Sequence, residues 1–339
     1  MKAAITYGPG DIRIEEIPIP KPGPREVLIK VKAVGICGSD LHYHRKENNV
    51  RKPPFIAGHE ISGEIVKLGK GVHGLRIGEK VVVEPLQWCH NCEYCQRLRF
   101  NLCLNIRRLA GGLAEYANFP IECIHPIPSK ISFEIAAFIE VVAVGLHALA
   151  IQPVGFSDEV LIVGDGPVGL TICRLCKLSG ARKITVVGMN KKALQLAKEL
   201  GANKTINAEG KKLTEVKIET QPGIIFEGVG GFSQTGEEIA QIVPKGGTII
   251  IVGIFKKLQS LDFAYLVSKE VQIKFSSCFG TNGNLSEFKL AMELVANGEI
   301  PVGKFITHRF SLSETPEAFR MLLNKNQHKI IKAIIFPTK

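Results

Sequence analysis

The 339-residue sequence has no tract biased toward a few residue types, and with 45% hydrophobic and 22% charged residues this excludes a disordered or fibrous chain. No segment recurs at a fixed period, which excludes solenoids and propellers. No apolar run approaches the ~18 residues of a membrane span. The opening stretch MKAAITYGPGDIRIEEIP alternates apolar and polar like a strand and lacks the apolar core of a secretory signal. These absences read as a soluble, cytoplasmic protein. Nor is charge of one sign gathered anywhere: the net charge is +11, but Lys and Arg are scattered among Asp and Glu. Neither nucleic acid nor an anionic membrane is therefore the expected partner. General basicity, which also suits an anionic cofactor, is the simpler reading.

The length is too great for one ordinary hydrophobic core and right for two, which makes a cleft between domains the default place for chemistry. Nine cysteines are present, an odd number, and four of them fall within 15 residues. That clustering points to metal rather than to disulfides.

Residues 27 to 34 (VLIKVKAV), 61 to 68 (ISGEIVKL) and 80 to 84 (KVVVE) alternate or run apolar between Gly and Pro signals. They predict a β-rich first part with short turns and no long helix. From about Ala143 the rhythm becomes apolar strand, glycines and amphipathic helix, in EVLIVGDGPVGLTICRLCKLSG, KITVVGMNKKALQLAKELGA and GTIIIVG. Such alternation predicts βαβ units and a parallel sheet. After about Thr281 a helix, a strand, a second helix and a final strand (KAIIF) read as the chain returning to complete the sheet of the first domain.

Three segments carry chemistry. Cys89, Cys92, Cys95 and Cys103 stand in the frame C-x2-C-x2-C-x7-C. Four thiolates so spaced close a tetrahedron around Zn²⁺ with no open position, the mark of a structural site. An iron–sulfur cluster or a nucleic-acid-gripping zinc ribbon are the competing readings. Cys37 in GICGSDLH and His59-Glu60 in AGHE suit a zinc that is not fully enclosed, as catalysis requires, although each residue alone is as well explained by packing. The third segment is a strand ending in Gly164-x-Gly166-x-x-Gly169 and opening a helix. In that context the glycines make a dinucleotide-binding turn, with Pro167 and Val168 in the same loop and the helix N-terminus facing the pyrophosphate.

The order GICGSDLH, GHE with a following Gly63-Glu64, the four-cysteine lobe, GGLAEY and GDGPVG resembles the zinc-containing medium-chain alcohol dehydrogenase family over essentially the whole chain. GICGSDLHY and FIE-x-x-x-VGLHA are most similar to its polyol (sorbitol, xylitol) and threonine dehydrogenase branch. The resemblance implies an α/β fold: a GroES-like β-rich catalytic domain over 1–143, with its structural zinc lobe at about 86–105, and a doubly wound parallel-sheet Rossmann cofactor domain over 144–281. The chain then returns to the catalytic domain over 282–339.

The resemblance implies hydride transfer between a secondary alcohol (a polyol, sugar alcohol or amino alcohol) and NAD(P), with one catalytic and one structural zinc per chain and a homo-oligomer, dimer or tetramer. Simple-alcohol or sugar oxidation is the alternative on the same scaffold, and a non-catalytic zinc- and nucleotide-binding protein the alternative from another class. Cys37, His59 and Glu60 match the catalytic zinc ligands, and Glu140 matches a further ligand or the holder of the zinc-bound water. Asp40 matches the carboxylate that orients the zinc-bound His, and Ser39 and His42 match the proton relay. Retention of a relay argues against a mere sensor.

Two departures stand out. Val141 replaces a common Pro, so the loop holding Glu140 is expected to sit differently. Gly188 occupies the end of the strand KITVV, where the family has an Asp for the ribose hydroxyls, and Asn190, Lys191 and Lys192 follow. Without that acid NADP is favoured and NAD stays possible; the two lysines are otherwise the solvated first turn of a helix. Cys123, Cys173, Cys176 and Cys278, with His125, His147 and His308, read as structural. The cation-rich segment with Tyr43, His44, Arg45, Lys46, Arg51 and Lys52 reads as a solvated loop, or as a clamp for a substrate carboxylate or phosphate.

Overall fold

The computed structural model describes residues 1–44, 52–219 and 221–338, in two units: Met1–Glu140 with Gly280–Lys339, and Val141–Phe279. The first unit is mostly strand. Lys2–Gly8 pairs with Asp11–Glu16 and with Phe55–Ile56. A seven-stranded sheet runs in the order Ile124–Pro126, Lys80–Val83, Glu60–Leu68, Glu26–Gly35, Lys332–Phe336, Ile306–Ser311, with Tyr116–Pro120 also on Glu26–Gly35. The long strand Glu26–Gly35 is buried at most positions because both its faces are covered, so it reads as a near-continuous apolar run. The C-terminal strand Lys332–Phe336 lies between Glu26–Gly35 and Ile306–Ser311, so the returning chain completes this sheet.

The second unit is a six-stranded parallel sheet in the order Lys204–Asn207, Lys183–Gly188, Glu159–Val163, Ile224–Glu227, Thr248–Ile251, Gln272–Phe275. Numbered from the first of these in the chain, that is strand order 3-2-1-4-5-6, the doubly wound nucleotide-binding arrangement. The crevice of such a sheet opens where the order reverses, between Glu159–Val163 and Ile224–Glu227, and the glycine loop follows the first of these.

The units divide at Glu140 and Phe279, slightly before the expected boundaries, and a helix, Ile139–Ile151, spans the first division. The sequence gives little sign of this helix: it carries almost no polar residues, so no amphipathic period marks it. It also corrects the expectation that no apolar stretch reaches membrane-span length. Phe133–Ile151 is 19 residues long and apolar, sufficient by length and composition, yet it is mostly buried inside the protein, as in a core helix. Glu140, expected on a loop, stands in the first turn of the helix. Val141 follows it in the same first turn.

Candidate active site

Cys37 precedes the short helix Gly38–His44, which carries Ser39, Asp40 and His42. His59 ends the loop that leads into Glu60, the first residue of the strand Glu60–Leu68. These elements bring ligand atoms of Cys37, His59 and Glu60 within 4.8 Å of one another. A thiolate, an imidazole and a carboxylate at such separations fit Zn²⁺, and three protein donors leave a fourth position for a water or substrate oxygen.

Asp40 supports this set. Its Oδ1 lies 3.6 Å from His59 Nδ1, and its Oδ2 accepts the Cys37 N–H at 3.0 Å. Burial works to raise the Asp40 carboxyl, but the His59 charge and the Cys37 N–H outweigh it, and the group ends below its ordinary value. Burial likewise opposes charge on His59, yet Asp40 and Cys37 lift it well above the usual imidazole range. An incoming metal therefore has to displace a proton from this ring. Glu140 stands outside the trio, and burial pushes its carboxyl up to about 7, with the His59 charge pulling the other way. Ser39 is exposed and His42 half-buried.

Sequence reasoning missed one partner. Lys332, buried in the last strand, places its Nζ 2.5 Å from Glu60 Oε1 and also donates to the Ile36 carbonyl at 3.0 Å. Gly35 makes room for this pair, since a Cβ there would collide with the Glu60 carboxyl. The available signal was a lysine inside the apolar run KIIKAIIF. A cation there either faces solvent or has a buried partner.

The four-cysteine lobe forms a second donor set, with the sulfurs of Cys89, Cys92, Cys95 and Cys103 all within 4.8 Å. Cys103 Sγ accepts the N–H groups of Cys89 at 3.3 Å and Asn105 at 3.4 Å. Backbone N–H groups, that of Asn91 foremost, bring the Cys89 thiol down to about 6 and lower Cys92 as well. The loop thus favours the thiolate at Cys89 and Cys92, while burial pushes the Cys95 thiol up to about 12. Trp88 stacks on Phe100 at 4.6 Å beside the lobe.

In the second unit Gly164 has φ +119°, and a Cβ on Gly169 would strike the Gly164 carbonyl, so both positions need glycine. Gly166 is the N-cap of the helix Pro167–Leu178 and offers no side-chain cap, while a Cβ on it would meet nothing within 4 Å. Uncapped N–H groups facing open space fit a pyrophosphate. Asn190 caps the helix Lys191–Leu200 through the N–H groups of Lys192 and Ala193, at 3.0 and 3.3 Å. Lys191 and Lys192 are exposed.

One expectation fails here. The strand end at Gly188 does not lack an acid, because the Asp165 side chain from the glycine loop occupies the space a Cβ at Gly188 would enter. A Cβ at Gly188 would overlap the Asp165 carboxylate, so glycine at this position is also explained by packing. The signal was in plain view: an acid inside the glycine loop of a chain whose next strand ends without one.

The remaining expectations divide. Cys123, Cys173 and Cys176 are buried, and burial raises all three thiols, as inert packing residues require. His125 pairs with Glu84 at 2.7 Å. His44 faces its own unit: its Nδ1 accepts the Gly10 N–H at 3.1 Å and its ring lies 4.6 Å from Phe319. Arg45, Lys46 and Arg51 lie outside the described residues.

A zinc-type donor trio in a β-rich unit and a glycine loop on a doubly wound sheet define a metal- and nucleotide-using dehydrogenase architecture. The alcohol dehydrogenase GroES-like domain family matches residues 23–129, and the zinc-binding dehydrogenase family matches 167–297. Sorbitol dehydrogenase of Bacillus subtilis is 34% identical over 353 residues, covering 100% of this chain and 98% of that protein. Among solved structures, a zinc-binding dehydrogenase of Sinorhizobium meliloti bound to NADP superposes with TM-score 0.88 at 28% identity, over 99% of both chains. An alcohol dehydrogenase of Escherichia coli CFT073 complexed with NADH gives 0.88 at 29%, again over 99% of both. The chain belongs to the zinc-containing medium-chain alcohol dehydrogenase family, in its polyol branch.

Proposed function

We propose that this enzyme oxidises a secondary alcohol of polyol, sugar-alcohol or amino-alcohol type with NAD(P), using Cys37, His59 and Glu60 to hold a catalytic zinc. The observation that carries the reading is the convergence of these three donors with Asp40 behind the imidazole. Zinc bound there supplies the Lewis acidity that lets a neutral alcohol lose its proton near neutral pH. Asp40 takes the Nδ1 side of His59 and leaves Nε2 as the donor. Lys332 balances the Glu60 charge. Ser39 would take the substrate hydroxyl proton as it hands its own on through the cofactor ribose toward His42, which passes a proton outward. Glu140 stands by as a further ligand or as the partner of a bound water. On the second unit, Gly164, Gly166, Pro167, Val168 and Gly169 cradle the pyrophosphate, and Gly188 with Asn190, Lys191 and Lys192 borders the adenosine ribose.

The test is spectrophotometric. Purified protein incubated with a panel of alcohols and either NAD or NADP is expected to form reduced nucleotide fastest with polyols bearing a secondary hydroxyl. Phosphorylated and acidic polyols belong in the panel, because the cation-rich segment around Lys52 follows the relay helix. No turnover with any alcohol would refute the enzymatic reading.

Two zincs per chain follow from the two donor sets. Metal analysis after exhaustive dialysis is expected to find close to two, falling to one in Cys92→Ser. A value near one that Cys92→Ser leaves unchanged would remove the lobe from the metal inventory. The surroundings are reducing, as in the cytoplasm, which agrees with nine free cysteines. A dimer or tetramer is supported by Phe263, Val267 and Phe275, exposed at 70%, 75% and 71% on the last helix and edge strand of the parallel sheet.

A further inference from the structure

The strand Lys183–Gly188 ends without a side chain, and Asp165 fills that place from the glycine loop. Its Oδ2 accepts the N–H of Met189 at 2.8 Å and of Asn190 at 2.6 Å. Its Oδ1 makes no hydrogen bond among the described residues. A side chain at 188 and the aspartate at 165 exclude each other sterically, so the carboxylate is carried by the loop and the strand end is glycine.

In a doubly wound nucleotide domain this strand end receives the adenosine ribose, where an acid pairs with the 2′-hydroxyl and repels a 2′-phosphate. Two features give Asp165 that role. It brings the negative charge to the strand end. It also engages the N–H groups of Met189 and Asn190, while the Asn190 side chain takes those of Lys192 and Ala193. Four backbone donors at the start of the following helix, which could otherwise cradle a phosphate, are thereby used. Lys191 and Lys192 are exposed, so their attraction for a phosphate is weakened by solvent and salt.

Resting on the dehydrogenase reading above, we propose that Asp165 is the cofactor-selecting residue: its carboxylate binds the adenosine ribose hydroxyls and turns away a 2′-phosphate, so the enzyme prefers NAD. No residue at 188 performs this task.

The experiment measures binding and needs no turnover. The full-length protein is titrated with NADH and NADPH by nucleotide fluorescence, and with 5′-AMP and 2′,5′-ADP by calorimetry, at one ionic strength. NADH is expected to bind about ten- to a hundredfold more tightly than NADPH, with 5′-AMP favoured over 2′,5′-ADP in the same sense. Asp165→Asn keeps an oxygen for the two N–H groups but removes the charge, and is expected to bring the two reduced nucleotides close to parity. Asp165→Ser is expected to go further, chiefly by weakening NADH. Equal or tighter binding of NADPH by the wild type overturns the assignment. So does an Asp165→Asn protein that binds 5′-AMP normally with the NADH-to-NADPH ratio unmoved. Failure of the wild type to bind 5′-AMP or either dinucleotide overturns the dehydrogenase reading, and the assignment with it.

Discussion

Cys37→Ala and His59→Ala are each expected to lower alcohol oxidation by about a thousandfold or more while leaving dinucleotide binding unchanged. Lewis-acid stabilisation of developing oxygen charge contributes roughly several kcal/mol, and each ~1.4 kcal/mol is tenfold in rate. Losing the thiolate or the imidazole leaves two donors in a set that begins with three. The dinucleotide loop belongs to the other unit, so its binding should not follow the loss. Zinc content, steady-state rates and NADH titration on the same preparations check all parts of the expectation. Turnover near the wild-type rate in a variant whose zinc content has dropped by one would take this metal out of the reaction. Asp40→Asn should act in the same direction but less strongly, because it disturbs the orientation of His59 and leaves the ligand in place.

Lys332→Met is expected to destabilise the protein by about 3–5 kcal/mol, a large share of the stability of an ordinary domain. The Lys332 and Glu60 side chains are 2% and 0% exposed, so the remaining carboxylate would lose its hydrogen-bonded partner in a buried place. Removing one member of a buried pair costs far more than replacing both with apolar groups of similar size. Glu60→Gln combined with Lys332→Met should therefore recover most of the loss. Urea unfolding of zinc-stripped protein is the appropriate measurement, since bound zinc offers the orphaned carboxylate another partner. A loss below about 1 kcal/mol in the single variant would place the pair among ordinary exposed ion pairs. Activity gives a second readout: a Glu60 released from Lys332 alters the zinc environment, so the single variant should also lose turnover at temperatures where it stays folded.

Much of the fold was legible because its signals are local. The strands around residues 27–34 and 61–68 announce themselves by alternation and flanking turn residues, and they correspond to Glu26–Gly35 and Glu60–Leu68. The strand–glycine–helix rhythm foretold the parallel sheet, and the run from Thr281 foretold the return to the first sheet. Ile139–Ile151 escaped because a helix apolar on nearly all sides has no period to detect.

The two candidate donor sets were readable for a similar reason. Four cysteines within 15 residues can meet through one short loop, and adjacent His59 and Glu60 need only Cys37 to join them. The sequence by itself thus determined the two-domain plan, the four-cysteine set and the nucleotide loop, all of which depend on neighbours along the chain. Tertiary structure alone decided which partner holds Glu60, because Lys332 comes 272 residues later and is brought beside it only by sheet pairing at Gly35. It alone decided where the acid at the cofactor strand end comes from. Asp165 and Gly188 sit on successive parallel strand–loop units, and only the folded sheet shows that the side chain of one fills the place the other leaves empty. Spacing along a chain records which residues can meet locally, whereas a steric exclusion between distant residues becomes visible only when both occupy the same few cubic ångströms.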